Sequence, residues 1–236
     1  KPVSSGSDYV TAIKKGYEAG AFFVMPTAGV INTEQKLAEY QKLQSSARMG
    51  DLMYIDTNND GVLNDDDRVY AGSGMPDYEL GLNFSADYRG FDFSMNWYAS
   101  VGNEIINGTK IYTYQRRTNK ELIYMWTPTN YTSTIPSYRT EGHNNYRAHT
   151  DMWIEDGSFV RLKNIMLGYS FPQELGYQSL DWASSVYTFA ADNLLTLTKY
   201  DGYDPEVGSN GLSRRGLDYG TYPISIQMRG GFQINF

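Results

Sequence analysis

The 236-residue sequence contains no cysteine. That absence excludes disulfides, zinc–thiolate sites, iron–sulfur clusters and thiol catalysis together. Histidine is scarce: His143 and His149 are the only two, and neither lies in an HExxH motif or beside a Gly-x-Ser-x-Gly elbow. Glu155 and Asp156 are no better as a hydrolytic pair, because adjacent side chains on a strand point to opposite faces. No run approaches the roughly 18 apolar residues of a membrane-spanning helix. Positive charge is in deficit, with 20 Lys and Arg against 27 Asp and Glu and a formal net charge of −7. The basic patch of a nucleic-acid binder is therefore missing. The first residue is Lys1, with no initiator Met, charged n-region or apolar h-region after it. That start predicts a mature product or a fragment.

Aromatic residues are what the chain has in plenty. There are 21 Tyr, 10 Phe and 4 Trp, alongside 23 Gly, while charged residues make up only 20%. Such a composition favours β-structure over helix. The mean hydropathy of −0.51 does not argue against membrane strands, because a barrel strand alternates lipid-facing with lumen-facing side chains.

Periodicity organises the chain. Residues 1–76 read as a strand near Tyr17–Met25, a helix over Thr33–Ser45 capped by Asn32 or Thr33, and a polar Asp-rich loop over 51–76. From Tyr78 the period is two. Tyr78, Leu80, Leu82, Phe84, Ala86 and Tyr88 share one face, and a tight turn at Arg89-Gly90 leads into Phe91, Phe93, Met95, Trp97 and Ala99. The opposite face carries Asn83, Ser85, Asp87, Asn96 and Tyr98, which become candidates to line a lumen, with Gln233 and Asn235 from the last strand. Residues 101–153 read as a long polar loop. A strand over 158–171 follows, in which Arg161 and Lys163 fall on the apolar row of Ile165, Leu167, Tyr169 and Phe171. Pro172 ends it, 173–184 connects, Val186–Leu197 is the next strand, 198–222 a second long loop, and Ile224–Phe236 the last strand. Short turns at one end and long loops at the other are the asymmetry of an outer-membrane barrel. The domain division expected is 1–76, then 77–236 as barrel strands with long loops at about 101–153 and 198–222. A soluble β-sandwich is the alternative that also alternates.

Two local motifs carry chemistry. Asp56-Thr57-Asn58-Asn59-Asp60-Gly61, with Asn64 and Asp67 beyond it, follows the D-x-N-x-D-G calcium-loop pattern. Asp56, Asn58 and Asp60 would give side-chain oxygens, Val62 its carbonyl, Asn64 a direct or water-bridged contact and Asp67 the closing carboxylate. Asp at the twelfth position has a shorter reach than the usual Glu. The same spacing also suits an ion-free Asn/Asp/Gly turn. At the other end, Arg229-x-Gly231-x-x-Ile234-x-Phe236 resembles the signal that barrel-assembly machinery reads on its substrates, an edge strand open to strand addition. Trp126, Tyr131, Arg139 and Tyr146 are weak candidates for ligand contact within 101–153, since Tyr, Trp and Arg concentrate in binding surfaces.

Several ordered segments resemble the C-terminal part of SusC/RagA-family TonB-dependent transporters of Bacteroidetes. They are Gly50–Gly72 with Pro76-Asp77-Tyr78 and Gly81-Leu82-Asn83, then Gly102-Asn103 to Asn107-Gly108-Thr109, Ile154–Pro172, Asp192–Val207, Asp218–Pro223 and the terminal Phe236. The resemblance implies an all-β chain, the C-terminal portion of a large antiparallel transmembrane β-barrel of about 22 strands with long extracellular loops. It implies import of a large nutrient, a glycan or oligopeptide, across the outer membrane, and no enzymatic activity. The partners it implies are a SusD-like surface lipoprotein, the plug and remaining barrel, TonB-ExbB-ExbD acting through those parts, and the lipid bilayer. Five or six strands cannot close a barrel, and open edges cannot face lipid. The expectation is thus a segment of about a quarter of such a protein. A calcium-stabilised, non-transporting surface binding module is the reading from another class, and it predicts a fold that needs no detergent.

Overall fold

The structure is a computed structural model that describes residues 10–140, 143–171, 184–207, 211 and 214–235. Phe236 and most of the expected 173–184 connection lie outside the described residues.

The first part of the chain is short strands around one helix. Thr11–Ala12 (β1), Ala21–Val24 (β2) and Thr27–Val30 (β3) precede α1, Glu34–Tyr40. The Tyr17–Met25 strand is therefore cut to four residues, with Gly16 and Gly20 at positive φ before it. The helix is shorter than Thr33–Ser45. Thr33 caps it by accepting from Lys36 N at 3.3 Å, and past Tyr40 Gln41 turns its amide onto the Ala47 carbonyl at 2.9 Å. Within the expected polar loop, Leu52–Tyr54 (β4) is buried and pairs with β3, a 3₁₀ turn covers Asp65–Asp67, and Val69–Tyr70 (β5) pairs with β2.

The period-two region forms the wall. Tyr78–Tyr88 (β6) and Phe91–Val101 (β7) make the hairpin, with Arg89 and Gly90 both at positive φ in the turn. After them come Glu104–Asn107 (β8), α2 over Gly108–Gln115, and Ile154–Asp156 (β9). Phe159–Ser170 (β10) and Ser184–Thr198 (β11) return to the wall, Leu217–Asp218 (β12) leaves it, and Gln227–Asn235 (β13) ends it. The wall is one antiparallel five-stranded sheet in the order β13-β11-β10-β7-β6.

Register lines up the two faces across the strands. Leu82, Trp97, Leu162 and Leu195 form one outward row; Tyr88, Phe91, Tyr169, Tyr187 and Phe232 form another beside the hairpin turn. Leu80 is 60% exposed and Phe84 47%, so among the described residues no second layer covers this face. A β-sandwich, which buries one face of each sheet, is not the arrangement found. The expected clash of Arg161 with the apolar row does not occur. Leu162 pairs with Trp97 and Asn164 with Asn96, so Lys163 is an extra residue, a β-bulge. On β11, Asn193 at φ 53° and Leu194 lie opposite it. The bulge changes the phase by one. Leu162 and Ile165 share the outward face, and Arg161 and Asn164 share the polar one.

The largest correction concerns 101–153, expected as a polar loop. With residues 10–76 it forms a cap that has its own core. Phe22, Val24, Ile106, Ile111, Tyr114, Tyr146 and Trp153 pack together, the Tyr114 and Trp153 rings at 5.2 Å. Burying one such aromatic stabilises by roughly 1.5–3 kcal/mol. The cap sheet β12-β8-β9 continues the wall strands with short breaks. β7 runs into β8 across Gly102-Asn103, and β9 into β10 across Gly157-Ser158. Asn103 closes both breaks: its Nδ2 donates to the Gly157 carbonyl at 3.2 Å and its Oδ1 accepts from Ser100 Oγ at 3.1 Å. Polar clamps join the cap's two chain segments. Asp151 accepts from Thr27 N and Oγ1 at 3.0 and 2.7 Å, and Asn145 bridges Leu52 N and Asp51 at 3.0 and 3.1 Å.

Candidate functional site: a two-faced wall and its cap

The polar face of the wall is a hydrogen-bonded ladder. Asn96 donates to Asn83 at 2.5 Å, Asn164 to Asp192 at 2.7 Å, and Arg229 pairs with the other Asp192 oxygen at 2.5 Å. Tyr98 donates to Glu79 at 2.8 Å. Ser85 and Ser94 face each other in register, as do Asp87 and Asp92. Gln233 pairs with Val186, and Asn235 with Ser184 at the end of β13.

One loop folds back onto this face. Arg161 is buried, and its guanidinium reaches Asp204 at 2.6 Å, Glu206 at 2.7 Å and Thr196 at 2.8 Å. Lys163, projecting from the bulge, also holds Glu206 at 2.7 Å. Asp204 takes further bonds from Glu206 N and Ile224 N at 2.9 and 3.0 Å, so the start and end of the loop meet at one carboxylate. Burial alone would raise the Asp204 pKa, but the two N–H donors and the guanidinium together hold it below the usual carboxylate value. The described part of the 198–222 segment is thus strapped down rather than loose. Ile224 and Ile226, expected in the last strand, lie before the start of β13.

A polar hollow of about 410 Å³ lies where this strap meets α2. Lys110 sits in it, 3.6 Å from Glu121 and Glu155 and 3.5 Å from Asp201. Burial would lower the lysine pKa, yet the three carboxylates outweigh it and the pKa is raised. Tyr200 donates to the buried Asp218 at 2.6 Å and anchors the strap's first turn.

The Asp-rich loop is held by its own backbone. Asp56 accepts from Asp60 N at 3.3 Å and Gly61 N at 2.8 Å, and Asn58 accepts from Asp60 N at 2.9 Å. Asp67 differs. It is fully buried and its two oxygens accept from Thr57 N and Asn64 N, each at 2.9 Å, while Asn64 caps the Asp65–Asp67 turn. Burial pushes the Asp67 pKa up and these backbone donors bring it below its ordinary value. Asp56, Asn58, Asp60 and the Val62 carbonyl suit a hard cation, whereas Asp67 latches the loop ends. Among the described residues no three His, Cys, Asp or Glu side chains cluster closely enough to hold a metal.

The four ligand candidates in 101–153 separate clearly. Tyr146 is buried against Tyr114 and Trp153 and donates to the Pro136 carbonyl. Trp126 is buried where a side chain at Gly50 would stand. Arg139 pairs with Asp51 at 2.7 Å and contacts His143 at 3.0 Å. These three build the cap, and Tyr131 alone is exposed. Sequence reasoning missed Arg161, Asp204 and Glu206. The signal that could have found them was the two cations, Arg161 and Lys163, interrupting an apolar row. Gly231 and Ile234 lie on β13, the edge of the sheet.

An antiparallel sheet with an uncovered apolar face, a polar face and a cap at its loop end is a segment of a transmembrane barrel wall. Known proteins place it further, although no family profile matches the chain. It is 31% identical over 233 residues to TonB-dependent receptor P3 of Formosa agariphila, covering 95% of this chain and 23% of that receptor. With TonB-dependent receptor SusC of Bacteroides thetaiotaomicron it shares 26% over 232 residues, 96% of this chain and 20% of that one. In fold it matches the RagAB peptide importer in the open-open state, with a TM-score of 0.72, 23% identity, and 99% of this chain against 24% of that one. The chain is a SusC/RagA-like segment, spanning about a fifth to a quarter of the length of the curated relatives it matches. Those relatives are receptors and transporters, not enzymes.

Proposed function

We propose that the segment is wall and external cap of a TonB-dependent importer in the outer membrane of a Bacteroidetes-like bacterium. The whole protein takes up a large nutrient, a glycan or an oligopeptide. The observation that carries this is the sheet itself, with a solvent-open apolar face backed by a hydrogen-bonded polar one. A soluble protein would bury the first face. In this reading the apolar rows meet hydrocarbon, and Asn83, Ser85, Asp87, Asn96, Tyr98 and Gln233 line the lumen. The Arg89-Gly90 turn faces the periplasm, and the cap stands outside. The remaining barrel and plug complete the wall, TonB-ExbB-ExbD energises transport through those parts, and a SusD-like lipoprotein seats on the cap, where Tyr131 is exposed.

Calcium belongs to the proposal through Asp56, Asn58, Asp60 and the Val62 carbonyl, with Asn64 beside them. Calorimetric titration of the whole receptor should give binding that Asp60→Asn abolishes; no heat at millimolar calcium rejects the ion. The wall is tested by attaching spin labels one residue at a time along 227–233 in native outer membranes. Labels at Met228 and Phe232 should report hydrocarbon, and those at Gln227, Arg229 and Gln233 water. Identical surroundings at all positions would sink the reading.

A further inference from the structure

Arg161 is buried on the polar face of the wall, and its guanidinium serves two carboxylates of the strap that are held very differently. Asp204 is 8% exposed and fixed from three sides, by the guanidinium Nη2 at 2.6 Å and by Glu206 N and Ile224 N. Glu206 is 39% exposed, and its side chain is held through one oxygen. Its Oε2 accepts from Arg161 Nη1 and from Lys163 Nζ, each at 2.7 Å. Two cations thus converge on half a carboxylate, and Oε1 takes no part in the grip. The backbone does not depend on it, because Glu206 N is pinned to Asp204 whatever the side chain does. The Glu206 carboxylate can therefore leave by turning about its own side-chain bonds. The cations, by contrast, are set in place beforehand. Arg161 Nε donates to Thr196 Oγ1 at 2.8 Å, and the guanidinium lies 5.3 Å over the Phe159 ring. Lys163 is the extra residue of the bulge, with its ammonium 5.4 Å over the Tyr98 ring. A bulge re-aims a side chain out of the regular ladder. The guanidinium and ammonium together make a cradle that a carboxylate fills with charge-assisted bonds on both sides.

We infer that Arg161 and Lys163 are a binding site for a carboxylate of the cargo, and that Glu206 is its tethered stand-in. The inference rests on the polar face lining the lumen, and adds the chemical class that one station on that face takes. With no cargo bound, Glu206 supplies the second negative charge that the two cations call for. With cargo present, Glu206 competes for the same two donors. Binding is then weak enough for the cargo to move on, as a conduction path requires. A neutral group cannot take the place of Glu206, because it would leave a cation without its counter-charge.

The test uses the whole receptor in mild detergent, titrated by calorimetry with trigalacturonate, triglutamate and the neutral maltotriose. Glu206→Ala should raise the affinity for an acidic ligand about tenfold, the factor expected if the side chain fills the cradle about nine-tenths of the time. Maltotriose should respond equally to both proteins. Lys163→Met added to Glu206→Ala should cancel the gain. Heat-modifiable gel migration confirms that the variants fold. A gain for trigalacturonate alone assigns the carboxylate to an acidic sugar, and a gain for triglutamate alone assigns it to a peptide. Affinity for both acidic ligands that Glu206→Ala leaves unchanged overturns the inference, and Glu206 is then only a clasp on the strap. A gain that maltotriose shares, or one that survives Lys163→Met, overturns it as well. Spin labels at Met228 and Arg229 in the same preparations separate the two failures. Hydrocarbon at the first and water at the second, with acidic-ligand affinity unmoved, sink only the site; identical signals sink the lumen too.

Discussion

Replacing Arg161 with Met removes a guanidinium that is 3% exposed and leaves Asp204, 8% exposed, without its cation. Breaking a buried pair from one side costs about 3–5 kcal/mol. Asp204 keeps two backbone donors, Glu206 N and Ile224 N, and Glu206 keeps Lys163, so the low end applies. A loss of about 3 kcal/mol raises the equilibrium opening of the strap roughly 100-fold. The wall ladder itself is untouched, so the barrel should still assemble. Trypsin can read the opening at Arg214 and Arg215, on the strap. Where opening is fast relative to cleavage, the cutting rate follows the open population. The expected result in outer-membrane vesicles of the whole receptor is cleavage there about 100-fold faster in Arg161→Met. Arg161→Met with Asp204→Leu should recover much of the protection, because an apolar pair no longer strands a charge. The pH dependence has a definite sign. The folded pKa of Asp204 lies below its ordinary value, so its contribution is complete above that ordinary value and disappears as pH falls through the lowered one. Cleavage in Arg161→Met within a factor of about two of the unaltered protein, a difference of only ~0.4 kcal/mol, would refute the strap.

Trp153→Ala should empty the centre of the cap and cost about 3–5 kcal/mol, seen as early thermal loss of near-ultraviolet circular dichroism with the wall's heat-modifiable migration kept. Asp67→Asn removes the charge that holds Thr57 N and Asn64 N, costing about 1.5–3 kcal/mol. Because the folded pKa of Asp67 is lowered, the protection of the amides over 57–66, taken relative to their intrinsic exchange at each pH, should persist through the ordinary carboxylate range and fall only below it. Protection already lost while the pH is still within the ordinary carboxylate range would refute this latch.

The wall was legible in the sequence and the cap was not, for a physical reason. Strand alternation is a local signal, and Tyr78 to Tyr88 and Phe91 to Ala99 carry it, broken only by the Arg89-Gly90 turn. The bulge at Lys163 is local too, but it looks like bad phasing until a neighbouring strand shows which face Arg161 takes. The cap core joins Phe22, Tyr114 and Trp153, far apart in the chain and each set among polar neighbours, so no window of residues contains the pattern. α2 hides for a related reason. It begins on Gly108 and is rich in β-branched and aromatic residues, and the Asn107 side chain, accepting from Lys110 N at 2.8 Å, is what starts it. The aromatic candidates Trp126 and Tyr146 were found by residue type, which does not separate a ring that packs from a ring that waits for a ligand.

The cap's core has a further consequence for how the molecule is made. Phe22 comes before the first hairpin and Trp153 after it, so their contact cannot close until β6 and β7 have been threaded between them. A finished cap is also too bulky to follow its own hairpin through a bilayer. With the cap outside, as proposed above, biogenesis follows the chain's connectivity: ribbon first, with the ectodomain condensing only once both of its halves have arrived on the same side.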